Sequence, residues 1–158
     1  MAKTRVKLIG ALAILLVGLA SCDNDVVYEE NREIAKAVWS ADEPVVFSFE
    51  VQDTVSMNNM FINLRNGDNY PFSNLFLFVE MSFPNGKTKT DTIECFLAAP
   101  NGEWLGSGIG NVYDNRFLYQ KQKRFPLEGQ YKVKINQAMR RDSLPEIYDV
   151  GFRIARAK

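Results

Sequence analysis

From Pro44 onward, apolar and polar side chains alternate with a period of two residues. Successive side chains of a β-strand point to opposite faces, so this alternation is typical of a strand with one buried face, whereas an amphipathic helix repeats every ~3.6 residues. The clearest runs place apolar side chains at Phe47, Phe49 and Val51, at Met60, Ile62 and Leu64, and at Tyr131, Val133 and Ile135. The chain is therefore constrained to fold into sheets.

The segment Leu75–Phe83 departs from this alternation because both of its faces are apolar. A strand that is covered on both faces lies inside a sheet, so we predict a central strand here. Pro84-Asn85-Gly86-Lys87 follows and favours a tight turn, since proline fixes φ and glycine accepts a positive φ. We expect Thr88–Leu97 to return as the hairpin partner.

Further strands are predicted at Arg116–Gln122, Gln130–Asn136 and Tyr148–Ala155. About eight short strands separated by turns, with no long amphipathic helix between them, favour an antiparallel sheet over a fold of alternating strands and helices. We therefore predict an all-β domain over residues 44–158, an antiparallel β-sandwich of jelly-roll-like form.

The start of the chain carries the features of a bacterial lipoprotein signal peptide. Three basic residues precede an apolar run of twelve residues, 8–19, which ends in Leu19-Ala20-Ser21-Cys22. That run is shorter than the ~18 residues of a spanning helix, and small residues precede the expected cut. We predict that residues 1–21 are cleaved and that Cys22 carries the lipid. The alternative is an ordinary signal peptide in which Cys22 has no role.

Residues 22–43 are polar and acid-rich, and their few apolar positions do not keep a helical period. We predict a lipid-anchored tether, with a possible short helix at 29–38, that Trp39 docks onto the sheet edge. A coil of ~20 residues would reach roughly 25 Å, and its carboxylates would hold the domain off anionic headgroups.

Composition excludes several classes of function. The whole chain has a net charge of +0, but residues 1–21 take three of its 19 basic residues and no acidic one, so cleavage leaves 16 basic against 19 acidic residues. This balance argues against nucleic-acid binding. The chain contains no histidine, which excludes Ser-His-Asp and Cys-His catalysis and leaves zinc no imidazole ligand. We expect no enzyme activity, no cofactor, no metal site and no small-molecule ligand.

Cys95 and the glycine-rich segment Gly106–Gly110 are the first two candidate sites. Cys95 shares a strand face with Ile93 and Leu97, which predicts a buried, inert thiol. Gly106–Gly110 resembles a phosphate loop, but no helical pattern follows it. We interpret it as a connection or a glycine-bearing strand that passes close to other backbone.

Acidic and aromatic residues supply the remaining candidates. Two facing carboxylates could hydrolyse a glycoside, but solvated strand faces are the simpler interpretation of the acids in the sheet region, Glu80, Asp91, Glu94 and Glu103. Asn66-Gly67-Asp68-Asn69 lacks the ligand count of a calcium loop and is interpreted as a turn. A sugar-stacking or protein-binding patch could form from exposed aromatic residues, namely Tyr70, Phe72, Tyr113 and Tyr119.

Several stretches of the mature chain resemble a known family. They are Asn59–Asn66, Tyr70–Leu77, Phe83–Gly86, Gly106–Gly110, Tyr131–Val133 with Gln137–Arg140, and Asp149–Ile154. Together with Cys22 they are similar to the gliding motility lipoprotein GldH family of Bacteroidota. The resemblance implies an accessory protein of gliding motility and type IX secretion, anchored by acyl chains such as palmitate. It implies no catalytic or ligand residues, and Cys22 is the only functional position that it transfers.

Two functional hypotheses follow. The first is a non-enzymatic scaffold, anchored in the membrane through Cys22, that contacts other gliding or type IX secretion proteins at the periplasmic face of the outer membrane. The alternative is a glycan-binding surface lipoprotein with a jelly-roll fold, which rests on analogy of fold. A carboxylate-based hydrolase would require two facing acids.

Overall fold

The computed structural model describes residues 25–158, and strands dominate this part of the chain. Cys22 and the predicted signal peptide, residues 1–21, lie outside the described residues. A short 3-10 turn occupies Ala35–Ala37. The strands are β1 (Val26–Glu33), β2 (Val38–Ser40), β3 (Val45–Val51), β4 (Asn58–Gly67), β5 (Asn74–Ser82), β6 (Thr88–Phe96), β7 (Val112–Lys123), β8 (Gly129–Gln137), β9 (Ser143–Pro145) and β10 (Ile147–Arg156).

Two four-stranded sheets form the two layers of the molecule. The first sheet has the order β1-β10-β4-β7 and the second has the order β3-β8-β5-β6, while β2 and β9 form a separate ribbon. Neighbouring strands are antiparallel throughout these sheets. The predicted all-β antiparallel sandwich is confirmed.

One apolar core joins the two sheets. Phe152 of the first sheet lies with its ring centroid 6.1 Å from that of Phe47 and 5.9 Å from that of Phe49, both in the second sheet. Phe49 also stacks on Tyr131 at 5.8 Å. Phe47, Phe49 and Tyr131 come from strands that alternate buried and exposed positions, so the period of two in the sequence places their side chains between the layers.

The predicted interior position of β5 is confirmed, because β5 lies between β8 and β6. Leu77 and Val79 are fully buried, but Phe78 on the outer face is 47% exposed, so the prediction that both faces of this strand are covered is wrong. The strand buried on both faces is β10, in which every residue from Val150 to Ala155 is buried. Polar side chains of its neighbours cover the outer face of β10, whereas Phe78 has no such cover.

The structure differs from the tether predicted over residues 22–43. From Val26 to Glu33 the chain is strand β1, and it pairs with β10 from Val26–Ala155 to Glu33–Asp149. The possible helix at 29–38 is wrong, since only the 3-10 turn is present there. Main-chain pairing with β10 and the contact of the Tyr28 ring with Phe49, 5.1 Å between centroids, stabilise this edge strand.

Trp39 is almost fully buried at the β2–β9 ribbon, where it pairs with Leu144 and donates a hydrogen bond from Nε1 to the Glu43 carbonyl at 2.9 Å. It therefore docks residues 38–43 as predicted, but onto the ribbon and not onto the edge of a four-stranded sheet. Among residues 25–158, none of the helical segments is long and apolar enough to cross a membrane.

The strand registers define two ends of the sandwich. At one end, called here the Val26 end, β1 begins, β10 finishes, and three connections lie: residues 52–57, 83–87 and 124–128. The turn at 83–87 is the predicted hairpin turn, closed by a 2.9 Å bond from the Phe83 amide to the Lys87 carbonyl. At the opposite end, called the Ile34 end, lie residues 34–44, 68–73, 97–111 and 138–146.

Candidate functional site

A cleft of about 940 Å³ lies on the outer face of the first sheet. Its floor is formed by polar side chains of all four strands, and its wall by Phe96 and by the segment Leu105–Ser107. The polar residues on the floor include Glu29, Asn31, Asn63, Arg65, Asp114, Arg116 and Asp149. The same period of two that buries the apolar side of each strand turns these residues outward.

A row of hydrogen bonds crosses the floor from β7 to β1. Arg116 donates from Nε to Asn63 Oδ1 at 2.9 Å and from Nη2 to Glu29 Oε1 at 3.2 Å. Asn63 Nδ2 in turn donates to Glu29 Oε1 at 3.0 Å and to Asn31 Oδ1 at 3.3 Å. These side chains of β7, β4 and β1 therefore form one connected network that passes over β10.

Gly151 of β10 makes room for this row. A Cβ atom at this position would lie 1.9 Å from Asn31 Oδ1 and 3.1 Å from Asn63 Cβ. The missing side chain lets the two asparagines approach each other above β10. Gly151 is thus required by close approach of neighbouring side chains and not by an unusual backbone angle.

Two arginines place further charge on the same face. Arg65 makes ion pairs with Asp114 at 3.1 Å and with Asp149 at 3.0 Å. Arg153, which is largely buried, bonds Glu29 from the neighbouring strand β10. The exposed pair of Arg65 with Asp114 contributes little to stability, typically below about 1 kcal/mol, and it can exchange its partner for an incoming polar group. The floor is accordingly suited to recognition of a polar or charged surface.

A buried pair of asparagines supports the cleft from inside. Asn115 Nδ2 donates to Asn66 Oδ1 at 2.9 Å, and Asn66 Nδ2 donates to the Gly67 carbonyl at 3.0 Å. Gly106 lies directly against Asn115, because a Cβ on Gly106 would be 2.8 Å from Asn115 Oδ1. The pair therefore fixes the wall of the cleft relative to its floor.

The segment Gly106–Gly110 forms this wall and continues along the edge of β7. Ser107 and Asp114 exchange backbone hydrogen bonds at 3.0 and 2.6 Å, and a Cβ on Gly108 would lie 1.9 Å from the Val112 carbonyl oxygen. Of the two predicted alternatives, a connection and not a regular strand occupies these residues, and it passes close to other backbone at Gly108. Sequence reasoning missed that the segment borders a cleft.

The acidic candidates are not brought together. Asp91 and Glu94 are three residues apart on β6 and so point to opposite faces of the second sheet. Asp91 accepts hydrogen bonds from Lys89 and Tyr119, and although partial burial opposes the shift, these bonds lower its pKa. Glu80 faces Lys134 at 3.9 Å. Among the described residues, no group of three or more acidic or cysteine side chains is arranged to hold a metal ion.

The aromatic candidates are dispersed as well. Tyr70 and Phe72 contact each other with 5.7 Å between ring centroids, and Tyr70 is buried. Tyr113 stacks on Trp104 at 5.5 Å, while Tyr119 bonds Asp91 on the second sheet. They do not form a single patch, because each is engaged by its own neighbour.

The predicted burial of Cys95 is confirmed, since its side chain is fully enclosed and free of any disulfide. Burial, with a smaller contribution from the Glu94 carboxylate, raises the pKa of its thiol to about 12. The lipidation site predicted at Cys22 lies outside the described residues. The candidate face that sequence reasoning missed is the polar floor of the cleft, and the sequence signal for it is a set of polar residues at alternate strand positions.

Fold and cleft together define a small antiparallel β-sandwich with a charged cleft on the outer face of one sheet. The model of the GldH lipoprotein family matches residues 26–154, and the chain belongs to that family. A "gliding motility lipoprotein GldH homolog" of Christiangramia forsetii is 40% identical over 149 residues, covering 90% of this chain and 91% of the relative. "Gliding motility lipoprotein GldH" of Flavobacterium johnsoniae is 39% identical over 157 residues, covering 95% of this chain and 97% of the relative.

A solved structure aligns more loosely. It is a family GH115 4-O-methyl-alpha-glucuronidase with specificity for decorated arabinogalactans, with a TM-score of 0.44 and 10% sequence identity, covering 87% of this chain and 18% of that chain. A match at this level supports no argument about function.

Proposed function

We propose that this protein is a lipid-anchored accessory protein of the cell envelope that supports gliding motility and type IX protein secretion as a non-enzymatic scaffold. Membership of the GldH lipoprotein family, over residues 26–154, is the observation that carries this proposal. Lipid on Cys22 holds the protein in the outer membrane with the domain in the periplasm. Other gliding or secretion proteins of the envelope are its partners.

The cleft is the surface through which the scaffold contacts its partner. Arg65 and Arg116 are each half exposed, and Asp114 is exposed as well, so a partner can reach both signs of charge. Because Arg65 and Arg116 are already paired with carboxylates on the floor of the cleft, these charges are not isolated in the unbound protein. A protein surface with complementary Arg and carboxylate groups could exchange into these pairs without leaving any group unpaired.

The anchor is tested by Cys22→Ser expressed in the native host. A hydroxyl cannot form the thioether that carries the lipid, so we expect an uncleaved or mislocalised precursor and loss of membrane association. Normal maturation with unchanged membrane association would overturn the anchor. Protease added to intact cells tests the leaflet: protection until the outer membrane is permeabilised supports the periplasmic face, and rapid loss in intact cells contradicts it.

The contact face is tested by site-specific photo-crosslinking in living cells. A photoreactive amino acid replaces Ser107 in the wall of the cleft, and a matched one replaces the exposed Lys132 on the outer face of the second sheet. We expect a discrete cross-linked envelope protein from position 107, lost when Arg65→Ala and Arg116→Ala are added. Equal products from both positions would contradict a docking role of the cleft.

Glycan binding remains the second candidate because Phe96, 59% exposed, lines the cleft beside polar side chains. An aromatic face next to hydrogen-bonding groups is a common arrangement for sugar recognition. Binding on a glycan array that is lost in Phe96→Ala would favour this function over the scaffold. Absence of array binding together with a protein cross-link at position 107 would exclude it.

A further inference from the structure

The position of β1 limits how far the folded domain can lie from the membrane. Only residues 23–25 separate Cys22 from Val26, the first residue of β1. Four peptide units span at most about 14 Å in any conformation, whereas the headgroup layer of one leaflet is roughly 5 to 7 Å thick. A lipid on Cys22 therefore keeps the Val26 end of the sandwich at the membrane surface.

The Val26 end exposes apolar side chains that nothing in the domain covers. Val55 is 74% exposed and Met57 is 41% exposed in the β3–β4 connection, and Val27 is 53% exposed on the adjoining edge strand. Isolated exposed apolar residues are common on protein surfaces, but these three all lie at the anchored end of the domain.

The connection that presents Val55 and Met57 is held in place. The Asp53 carboxylate accepts bonds from the Val55 and Ser56 amides, both at 2.9 Å, and from the Ser56 hydroxyl at 2.6 Å. The Ala157 amide donates to the Met57 carbonyl at 2.8 Å. The apolar tip is therefore ordered before it meets any partner, so that little conformational entropy is lost when it is buried.

Basic residues lie at the same end of the sandwich. The Val26 end carries Lys87, Lys123, Arg124, Arg156 and Lys158, against Asp25, Asp53 and Glu128, and Asp23 lies between the anchor and β1 in the sequence. Lys158 pairs with Asp25 at 2.6 Å, which offsets an acidic charge next to the anchor, and Lys123 and Arg124 are exposed. Basic side chains within a Debye length of an anionic leaflet strengthen binding to it.

We infer that the Val26 end is a membrane-docking surface, with Val55 and Met57 in the boundary between headgroups and acyl chains and with Lys123 and Arg124 on anionic phospholipid headgroups. The inference rests on the lipid anchor of the proposed function. In this orientation the domain lies directly on the lipid surface, whereas the tether predicted over residues 22–43 would hold it away from the membrane. The Ile34 end, including the wall of the cleft, then faces away from the membrane toward other proteins.

Depth-dependent quenching tests this orientation in the lipidated full chain, reconstituted in vesicles of phosphatidylethanolamine and phosphatidylglycerol. An environment-sensitive fluorophore is attached at Val55→Cys, and in the control at Ile109→Cys, which is 98% exposed at the opposite end. We expect a blue-shifted emission and quenching by headgroup-level quencher lipids at position 55, and water-like emission at position 109. If protein that floats with the vesicles shows equal, water-like emission at both positions, the docking surface is overturned and the lipid anchor is not.

Two further arms separate the contributions. The double change Lys123→Glu with Arg124→Glu should reduce the quenching at position 55. The control makes the same charge change at the Ile34 end, Lys36→Glu with Arg140→Glu, and should leave the quenching unchanged. Equal effects of the two double changes would contradict the headgroup contact. Phosphatidylcholine vesicles should give less quenching than the anionic vesicles. Failure of the unmodified protein to float with vesicles would instead overturn the anchor, and the docking surface with it.

Discussion

At the scale of single residues, the polar row and Cys95 show two opposite uses of a side chain. On the floor of the cleft, Arg65 pairs with Asp114 and Arg116 pairs with Glu29, and both arginines stay half exposed to water. Such pairs can exchange a partner for an incoming polar group. Cys95 is enclosed in the second sheet, where its thiol is only a small apolar group. The exchangeable ion pairs follow from exposure to water, and the inertness of the thiol follows from burial.

The Cys95 thiol should not react with a thiol-specific disulfide reagent in the native protein at pH 8. It is buried, and its raised pKa leaves almost none of the reactive thiolate at that pH. Absorbance of the released reagent should show no reaction until urea unfolds the chain. A Val55→Cys variant, whose added thiol is exposed, is the positive control, and fast native reaction of the unmodified domain would contradict the buried assignment.

Alkaline pH should destabilise the domain. The pKa of Cys95 rises on folding from its ordinary 9.0 to about 12, so between these values the unfolded state binds fewer protons than the folded state. Its contribution is therefore fully present below pH ~9 and is lost as the pH rises toward ~12. Burial also raises the pKa of Tyr70 and Tyr119, which acts in the same direction. Urea midpoints that stay constant between pH 8 and 11 would contradict this.

Cys95 and Gly106–Gly110 were predictable because each depends on its immediate neighbours in the sequence. The polar row was not predictable, since Glu29, Asn63 and Arg116 become neighbours only through the pairing of β1, β10, β4 and β7. Alternate polar residues on a strand look the same whether they face bulk water or a cleft. Which strands adjoin is decided by the packing of the whole domain.

At the scale of elements, the seven strands with alternating or fully apolar patterns were predicted within a few residues, and the three segments β1, β2 and β9 were missed. In β1 only Tyr28 packs against the core, while Val27 is an exposed apolar residue and the residues from Glu29 onward are polar. Such an edge strand is fixed by the main-chain hydrogen bonds that β10 offers, a tertiary effect that no local pattern reports.

Removal of β1 and β2 should therefore destabilise the domain strongly. A protein that begins at residue 44, the predicted domain boundary, would leave β10 as an uncovered edge and would lose the buried Trp39. Loss of a buried Trp side chain alone costs about 3 to 5 kcal/mol. We expect it to aggregate or to remain unfolded by far-UV circular dichroism, while the matched protein that begins at residue 25 folds; equal urea midpoints would restore the boundary at 44.

At the scale of the whole molecule, the shared core predicts that both sheets unfold together. Leu77→Ala in the second sheet should lower the free energy of unfolding by about 2 to 5 kcal/mol, because Leu77 is fully buried, whereas the exposed Lys132→Ala should change it by less than about 0.5 kcal/mol. In a Trp104→Phe background, Trp39 fluorescence and circular dichroism should report the same midpoint. Separate transitions would contradict unfolding of the shared core, to which Trp39 belongs, as one unit.

The pairing of β1 with β10 also determines when the protein can finish folding. Val26 and Ala155 are partners although about 130 residues separate them along the chain. At roughly 5 to 20 residues per second, a ribosome needs on the order of ten seconds to make that interval, and during this time β1 has no partner strand. Contacts of such large sequence separation form slowly, so the chain remains incompletely folded until its final strand is available. Because the first sheet cannot close until β10 has been made, the chain can still pass unfolded through a narrow export channel during this delay.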